Sequence, residues 1–253
     1  MSAGTLAGCS ALVTGASGDI GREIAVALAE AGADVGLVAR RETALRETAE
    51  TVRGLGRRAA VAVADVTDED QVLAAVELVE KELDGIDVVV NNAGGARFLA
   101  PLLETERRGW DKTVALNLTA PYLVAKAAVP GMIRRGRGSV VNIGSLVGLR
   151  AQEGMAFYSA AKSGLLMLTR SMAKEWGPRG IRANAVVPGL IETEGWAAYE
   201  GQDAMAALKT DHVIPLGRWG RARDVAGPVV FLASEAAAYV TGAALTVDGG
   251  ATA

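Results

Sequence analysis

A 253-residue chain with 26 basic and 29 acidic side chains carries a formal charge of only -3, so nothing electrostatic points to nucleic acid or an anionic membrane as a partner. Its 31 glycines, 50% hydrophobic content and 4% aromatics fit helices packed tightly on a buried sheet, and exclude a fibrous or disordered chain. The single cysteine, Cys9, excludes an internal disulfide and favours a cytoplasmic setting.

The N-terminus shows no basic segment ahead of an apolar run and does not read as a secretory signal. Beyond it, apolar runs at 11–14, 35–39, 59–63, 88–90, 140–143, 182–186 and 244–247 read as strands. Most are continuous rather than alternating, which predicts burial on both faces. Between them lie helical patterns, including 20–30, 68–83, 116–133 and 158–176. This alternation predicts an α/β fold: a Rossmann-like, doubly wound, seven-stranded parallel sheet with helices on both faces, in a single domain over 1–253. The segment 191–219 breaks the pattern and holds Trp196, Tyr199, the only histidine (His212) and Trp219. Following the sixth strand, it is placed to cover the carboxyl ends of the sheet as a substrate lid. The stretch 227–247 has Glu235 as its only charge and is long enough to span a bilayer at about 20 residues. The Ser234-Glu235 break and the Thr241-Gly242 turn signal instead divide it into a helix, a connection and a buried strand.

The loop Thr14-Gly15-Ala16-Ser17-Gly18-Asp19-Ile20-Gly21 joins the first strand to the first helix. Glycines there let the backbone turn sharply and approach a pyrophosphate, with the free amides of the helix N-terminus facing the anion. No Gly-Lys-Ser/Thr follows, which argues against a nucleoside-triphosphate loop. The second strand ends Ala39-Arg40-Arg41, about 20 residues further on, where a dinucleotide site expresses its cofactor preference. An acid there would hold the ribose hydroxyls of NAD; Arg40 and Arg41 suit the extra phosphate of NADP, so NADP is expected over NAD.

Tyr158-Ser159-Ala160-Ala161-Lys162 places a phenol and an ammonium at i and i+4, on one helix face. A free tyrosine, with pKa about 10, is only about 0.1% phenolate at neutral pH. A unit charge at roughly 4 Å is worth about 4 kcal/mol at an effective dielectric of about 20. A downward shift of about 3 units needs close to that much. The pair can therefore bring a tyrosine into range for acid–base work. Ser145 stands thirteen positions earlier, just past the fifth strand. No cluster of Cys, His and carboxylates has metal-ligand spacing, so no metal is expected.

The glycine loop resembles the T-G-x-x-x-G-x-G loop of the short-chain dehydrogenase/reductase family, with Asp19 in place of the middle glycine and Gly18 one position early. The resemblance extends in order along nearly the whole chain. It assigns the adenine contact to Asp65 and Val66. The Asn91-Asn92-Ala93-Gly94 stretch, through Asn91, Ala93 and Gly94, is placed beside the cofactor ribose. Pro188, Gly189, Ile191 and Thr193 are placed around the nicotinamide carboxamide. Gly15, Ser17, Gly18, Asp19, Ile20, Gly21, Arg40 and Arg41, with Tyr158 and Lys162, complete the expected cofactor set. By the same resemblance Ser145 hydrogen-bonds the substrate oxygen, and Tyr158 donates the proton in reduction or removes it in oxidation. Lys162 lowers the tyrosine pKa and holds the nicotinamide ribose, and Asn117 positions a water that links Lys162 to solvent.

Within the family the pattern looks most like 3-oxoacyl-thioester reductases. This implies NADPH-dependent reduction of a ketone carried on an acyl carrier protein or coenzyme A, and a homotetramer. Arg134, Arg135, Arg137 and Arg179 offer a basic surface for such a carrier. Oxidation of a polyol, sugar or other small alcohol is the alternative. A non-catalytic dinucleotide sensor would keep the loop, yet the presence of Tyr158 and Lys162 speaks against it.

Overall fold

The computed structural model describes residues 4–96, 98–193 and 214–253. Among them the apolar runs become seven strands: β1 (Ser10–Thr14), β2 (Asp34–Ala39), β3 (Ala59–Val63), β4 (Val88–Asn91), β5 (Gly138–Ile143), β6 (Ile181–Pro188) and β7 (Ala244–Val247). They pair in parallel in the order β3-β2-β1-β4-β5-β6-β7. Parallel neighbours need a crossover, and helices supply it: α1 (Asp19–Glu30), α2 (Glu42–Gly54), α3 (Glu69–Leu83), α4 (Arg107–Val114), α5 (Ala120–Arg135), α6 (Ala156–Trp176) and α7 (Ala222–Ala233).

The helices divide between the two faces. α1, α2 and α7 pack on one through Ile24, Leu28, Leu45, Val52, Val229 and Val230. α3, α5 and α6 pack on the other through Val76, Val79, Val124, Ala128, Met132 and Met172. Strand order reverses between β1 and β4, so the loops after those strands diverge and open a crevice at the carboxyl edge of the sheet.

Strand burial departs from expectation at the edges. The stretch 227–247 does become a helix, a short turn and a strand, but β7 is half-exposed rather than buried, with Leu245 at 38% exposure. At the opposite edge β3 alternates and exposes Val63. Each edge strand has a neighbour on one side only, and helical cover thins there. The helix anticipated at 116–133 begins instead as a π-helical turn, Ala115–Thr119, between α4 and α5, and continues to Arg135. Among the described residues, no helix is long and apolar enough to cross a membrane.

A half-buried cation secures the end of α7. The Arg182 guanidinium, on β6, donates to the Leu232 and Ser234 carbonyls at 2.7 and 3.1 Å, satisfying acceptors that the last helical turn leaves without partners.

Candidate active site

The glycine loop is shaped by backbone contact. Gly15 has φ 67°, and a Cβ on Gly21 would stand 2.2 Å from the Gly15 carbonyl oxygen, so the turn closes only without a side chain there. Thr14 then stitches this loop to the one after β4. Its Oγ1 accepts from the Asn92 and Ala93 amides, both at 3.0 Å, while Asn92 Nδ2 donates to the Thr14 carbonyl at 3.0 Å. The two loops that flank the crevice thereby form a single wall.

The opposite wall comes from β5 and α6. Ser145 follows β5 in extended conformation, and the short turn Leu146–Gly148 carries the chain onto α6. Ser163 Oγ donates to the Gly148 carbonyl at 2.8 Å, and a Cβ on Gly148 would lie 3.0 Å from the Lys162 carbonyl carbon. The serine loop is thus locked against the helix that carries Tyr158 and Lys162. Phe157, fully buried, stacks on Phe98 with centroids 4.2 Å apart and fixes the first turn of α6.

Lys162 is 3% exposed, and its Nζ donates to the Ile143 carbonyl at 2.7 Å. It lies 5.7 Å from the Tyr158 ring centroid. Burial lowers its pKa to about 7, well below the ordinary lysine value.

These elements enclose a cleft of about 610 Å³. Ser145, Tyr158 and Lys162 line it together with Gly15, Gly18, Asp19, Ile20 and Gly21 of the glycine loop. Arg41, Ala93, Gly94, Pro188, Gly189, Ile191 and Thr193 complete the predicted residues on its surface. The remainder lie elsewhere. Asn91 is turned inward, where its Nδ2 donates to Asn142 Oδ1 at 2.8 Å, and it is Asn92 that faces the cleft. Val66 is buried in the core of the α3–α5 face, not on the cleft wall. Asp65 is held by the Thr67 amide and hydroxyl at 3.0 and 2.7 Å and pairs with Arg40 at 3.5 Å. Burial pushes its carboxyl up, but the Thr67 hydrogen bonds and Arg40 outweigh this and hold it below the usual range. Ser17 presents its carbonyl to Arg41.

Asn117 sits in the π-helical turn, fully buried behind the cleft. Its Oδ1 accepts from the Gly95 amide at 2.9 Å, and its Nδ2 donates to the Gly95 and Thr113 carbonyls at 3.1 and 3.0 Å. It pins the loop after β4. A Cβ on Gly94 would meet Asn117 Oδ1 at 2.7 Å and Lys162 Nζ at 3.2 Å, so glycine brings these two side chains to one point. Gln152 and Met155 also line the cleft and were not singled out from sequence. Their position between Ser145 and Tyr158 was the available signal.

The residues present fit a dinucleotide. Gly15, Gly18 and Gly21 line the cleft at the first turn of α1, and a Cβ on Gly21 would collide with the Gly15 carbonyl, so this turn keeps bare backbone where a pyrophosphate would lie. Arg40 and Arg41 stand where β2 ends, with Arg41 on the cleft wall. Of the segment 191–219 expected as a lid, residues 194–213, with Trp196, Tyr199 and His212, lie outside the described residues.

Comparison with known proteins agrees with this geometry. A family model described as enoyl-(acyl carrier protein) reductase matches residues 15–252. Gluconate 5-dehydrogenase of Gluconobacter oxydans is 39% identical over 248 residues, covering 98% of this chain and 96% of that protein. The 3-oxoacyl-(acyl-carrier-protein) reductase of Pseudomonas aeruginosa is 41% identical, covering 97% and 98%. A gluconate 5-dehydrogenase structure from Burkholderia cenocepacia, in complex with NADP and tartrate, superposes with a TM-score of 0.92 at 39% identity, covering 98% and 96%. The chain therefore belongs to the short-chain dehydrogenase/reductase family of NAD(P)-dependent oxidoreductases.

Proposed function

We propose that the chain is an NADP-dependent enzyme interconverting a ketone and a secondary alcohol, with 3-oxoacyl thioesters or related ketones as its substrate class. The observation that supports this reading is the convergence of Ser145, Tyr158 and Lys162 on the cleft that the glycine loop opens. Bound there, NADPH would supply the hydride. The Ser145 hydroxyl donates to the substrate carbonyl oxygen and fixes the orientation of the reacting carbon. Tyr158 gives that oxygen its phenolic proton as negative charge develops, and takes it back in the oxidative direction. Lys162 holds the ribose and stabilises the phenolate left on Tyr158. Asn117 acts on Lys162 from behind the cleft.

A second substrate reading has its own support: two of the relatives above are gluconate 5-dehydrogenases. The basic surface for a carrier protein is also divided. Arg137 pairs with Asp87 at 3.3 Å and Arg135 at 3.7 Å, and both precede β5, at the sheet end away from Ser145. Comparing kcat/KM for a 3-oxoacyl thioester and a keto sugar acid separates the two classes.

Arg40 and Arg41 are the residues that would read the extra phosphate of NADP. Replacing both by Ala should weaken NADPH binding by about ten- to a hundredfold, the worth of one charge-assisted hydrogen bond. NADH binding should stay nearly unchanged. Fluorescence titration measures both, and equal losses for the two cofactors would contradict the assignment.

A cytoplasmic homotetramer is part of the proposal. Tyr122 on α5 and Met167 on α6 are 45% and 57% exposed, and Leu245 is partly exposed on the β7 edge. Sedimentation should give a particle four times the 26.0 kDa chain; a stable monomer would count against it.

A further inference from the structure

Asp19 is the only carboxylate among the described residues that line the cleft. It is the first residue of α1, and the preceding Gly18 offers no side-chain acceptor to that turn. The acid therefore stands at the positive pole of the helix, where it stabilises the free protein. The same pole is what a pyrophosphate would use. Gly18, which carries no side chain, lies immediately ahead of it on the cleft wall. Nearby positive charge comes from Arg41, whose guanidinium donates to the Ser17 carbonyl; Lys162, the other cation on the wall, belongs to the Tyr158 side.

We infer that Asp19 is a built-in competitor of the cofactor pyrophosphate: it satisfies the α1 pole in the free protein and repels the dinucleotide that enters. Cofactor affinity is thereby set below what the loop would otherwise give. This rests on the reading of the cleft as a dinucleotide site. NAD and NADP share the pyrophosphate, so the effect of Asp19 falls equally on both. Arg40 and Arg41 act on the 2′-phosphate and alone set the ratio. Charge at 19 thus governs how tightly either cofactor is held, and charge at 40 and 41 governs which one is preferred.

The test is titration of NADP and NAD into wild type, Asp19→Asn and Asp19→Gly, with melting temperature recorded with and without ligand. Both variants should bind both dinucleotides about tenfold more tightly and leave the NADP/NAD ratio unchanged. Without ligand they should melt lower than wild type, and with ligand their melting temperature should rise by more. If wild type binds cofactor and neither variant binds more tightly, the inference about Asp19 is overturned while the cofactor reading stands. Tighter binding by Asp19→Gly alone would trace the effect to bulk rather than charge, and would equally overturn it. If no form binds either dinucleotide, the cofactor reading fails and the inference falls with it.

Discussion

Tyr158→Phe should lower carbonyl turnover by about 10²- to 10⁴-fold, the usual worth of a positioned general acid, while leaving NADPH affinity nearly unchanged. The substitution removes one oxygen and keeps the ring. Two anchors of α6 are independent of that oxygen: Phe157 stays stacked on Phe98 and Ser163 stays bonded to Gly148. Ser145 lines the same cleft, but its hydroxyl is far too weak an acid to replace a phenol near neutral pH. The loss should therefore appear in kcat, with the cofactor dissociation constant as the control. Activity within a few-fold of wild type would remove Tyr158 from the mechanism.

Lys162→Met should change the way stability depends on pH. Burial lowers Lys162 to about 7, against 10.5 for an ordinary lysine. Between those values the unfolded chain holds a proton that the folded chain has released, so stability rises with pH. Below pH 7 both states are protonated and the full cost of burying the charge is present. Methionine fills a similar volume and has no proton to exchange. From pH 7 to pH 10 the stability difference should move in favour of wild type by on the order of 3 kcal/mol. Urea unfolding of both proteins across that range measures it. A difference that stays flat would show that Lys162 is not held in a low-pKa environment. The variant should also lose most of its turnover, since the ammonium beside Tyr158 is gone.

The chemistry was more legible in the sequence than the packing around it. Tyr158, Lys162 and Ser145 do line one cleft: helix periodicity put the first two on one face, and the family resemblance supplied the third. The seven strands were visible as apolar runs, but their order was not, because no local pattern records which strands become neighbours. Burial on both faces also erases the alternation that tells inward from outward. Asn91 and Val66 were placed at the cleft by the family resemblance, which gives a position along the chain and not the direction in which a side chain points. β7 was misjudged for the converse reason: its sequence is as apolar as a central strand, and its exposure follows only from its place at the edge. The low pKa of Lys162 comes from groups distant in sequence closing over it. The Ile143 carbonyl at the end of β5 holds its Nζ, and Gly94, in the loop after β4, comes so near that a Cβ there would lie 3.2 Å from that nitrogen, which spacing along the chain does not reveal.

The central claim is that this cleft reduces a ketone through Tyr158. Its most direct test is NADPH oxidation by the purified protein across a panel of 3-oxoacyl thioesters, keto sugar acids and small ketones, run beside Tyr158→Phe. Steady oxidation by wild type with at least one ketone, absent in the variant, is the predicted result. Tight NADPH binding with no turnover anywhere in the panel would contradict the claim and leave the chain a dinucleotide sensor.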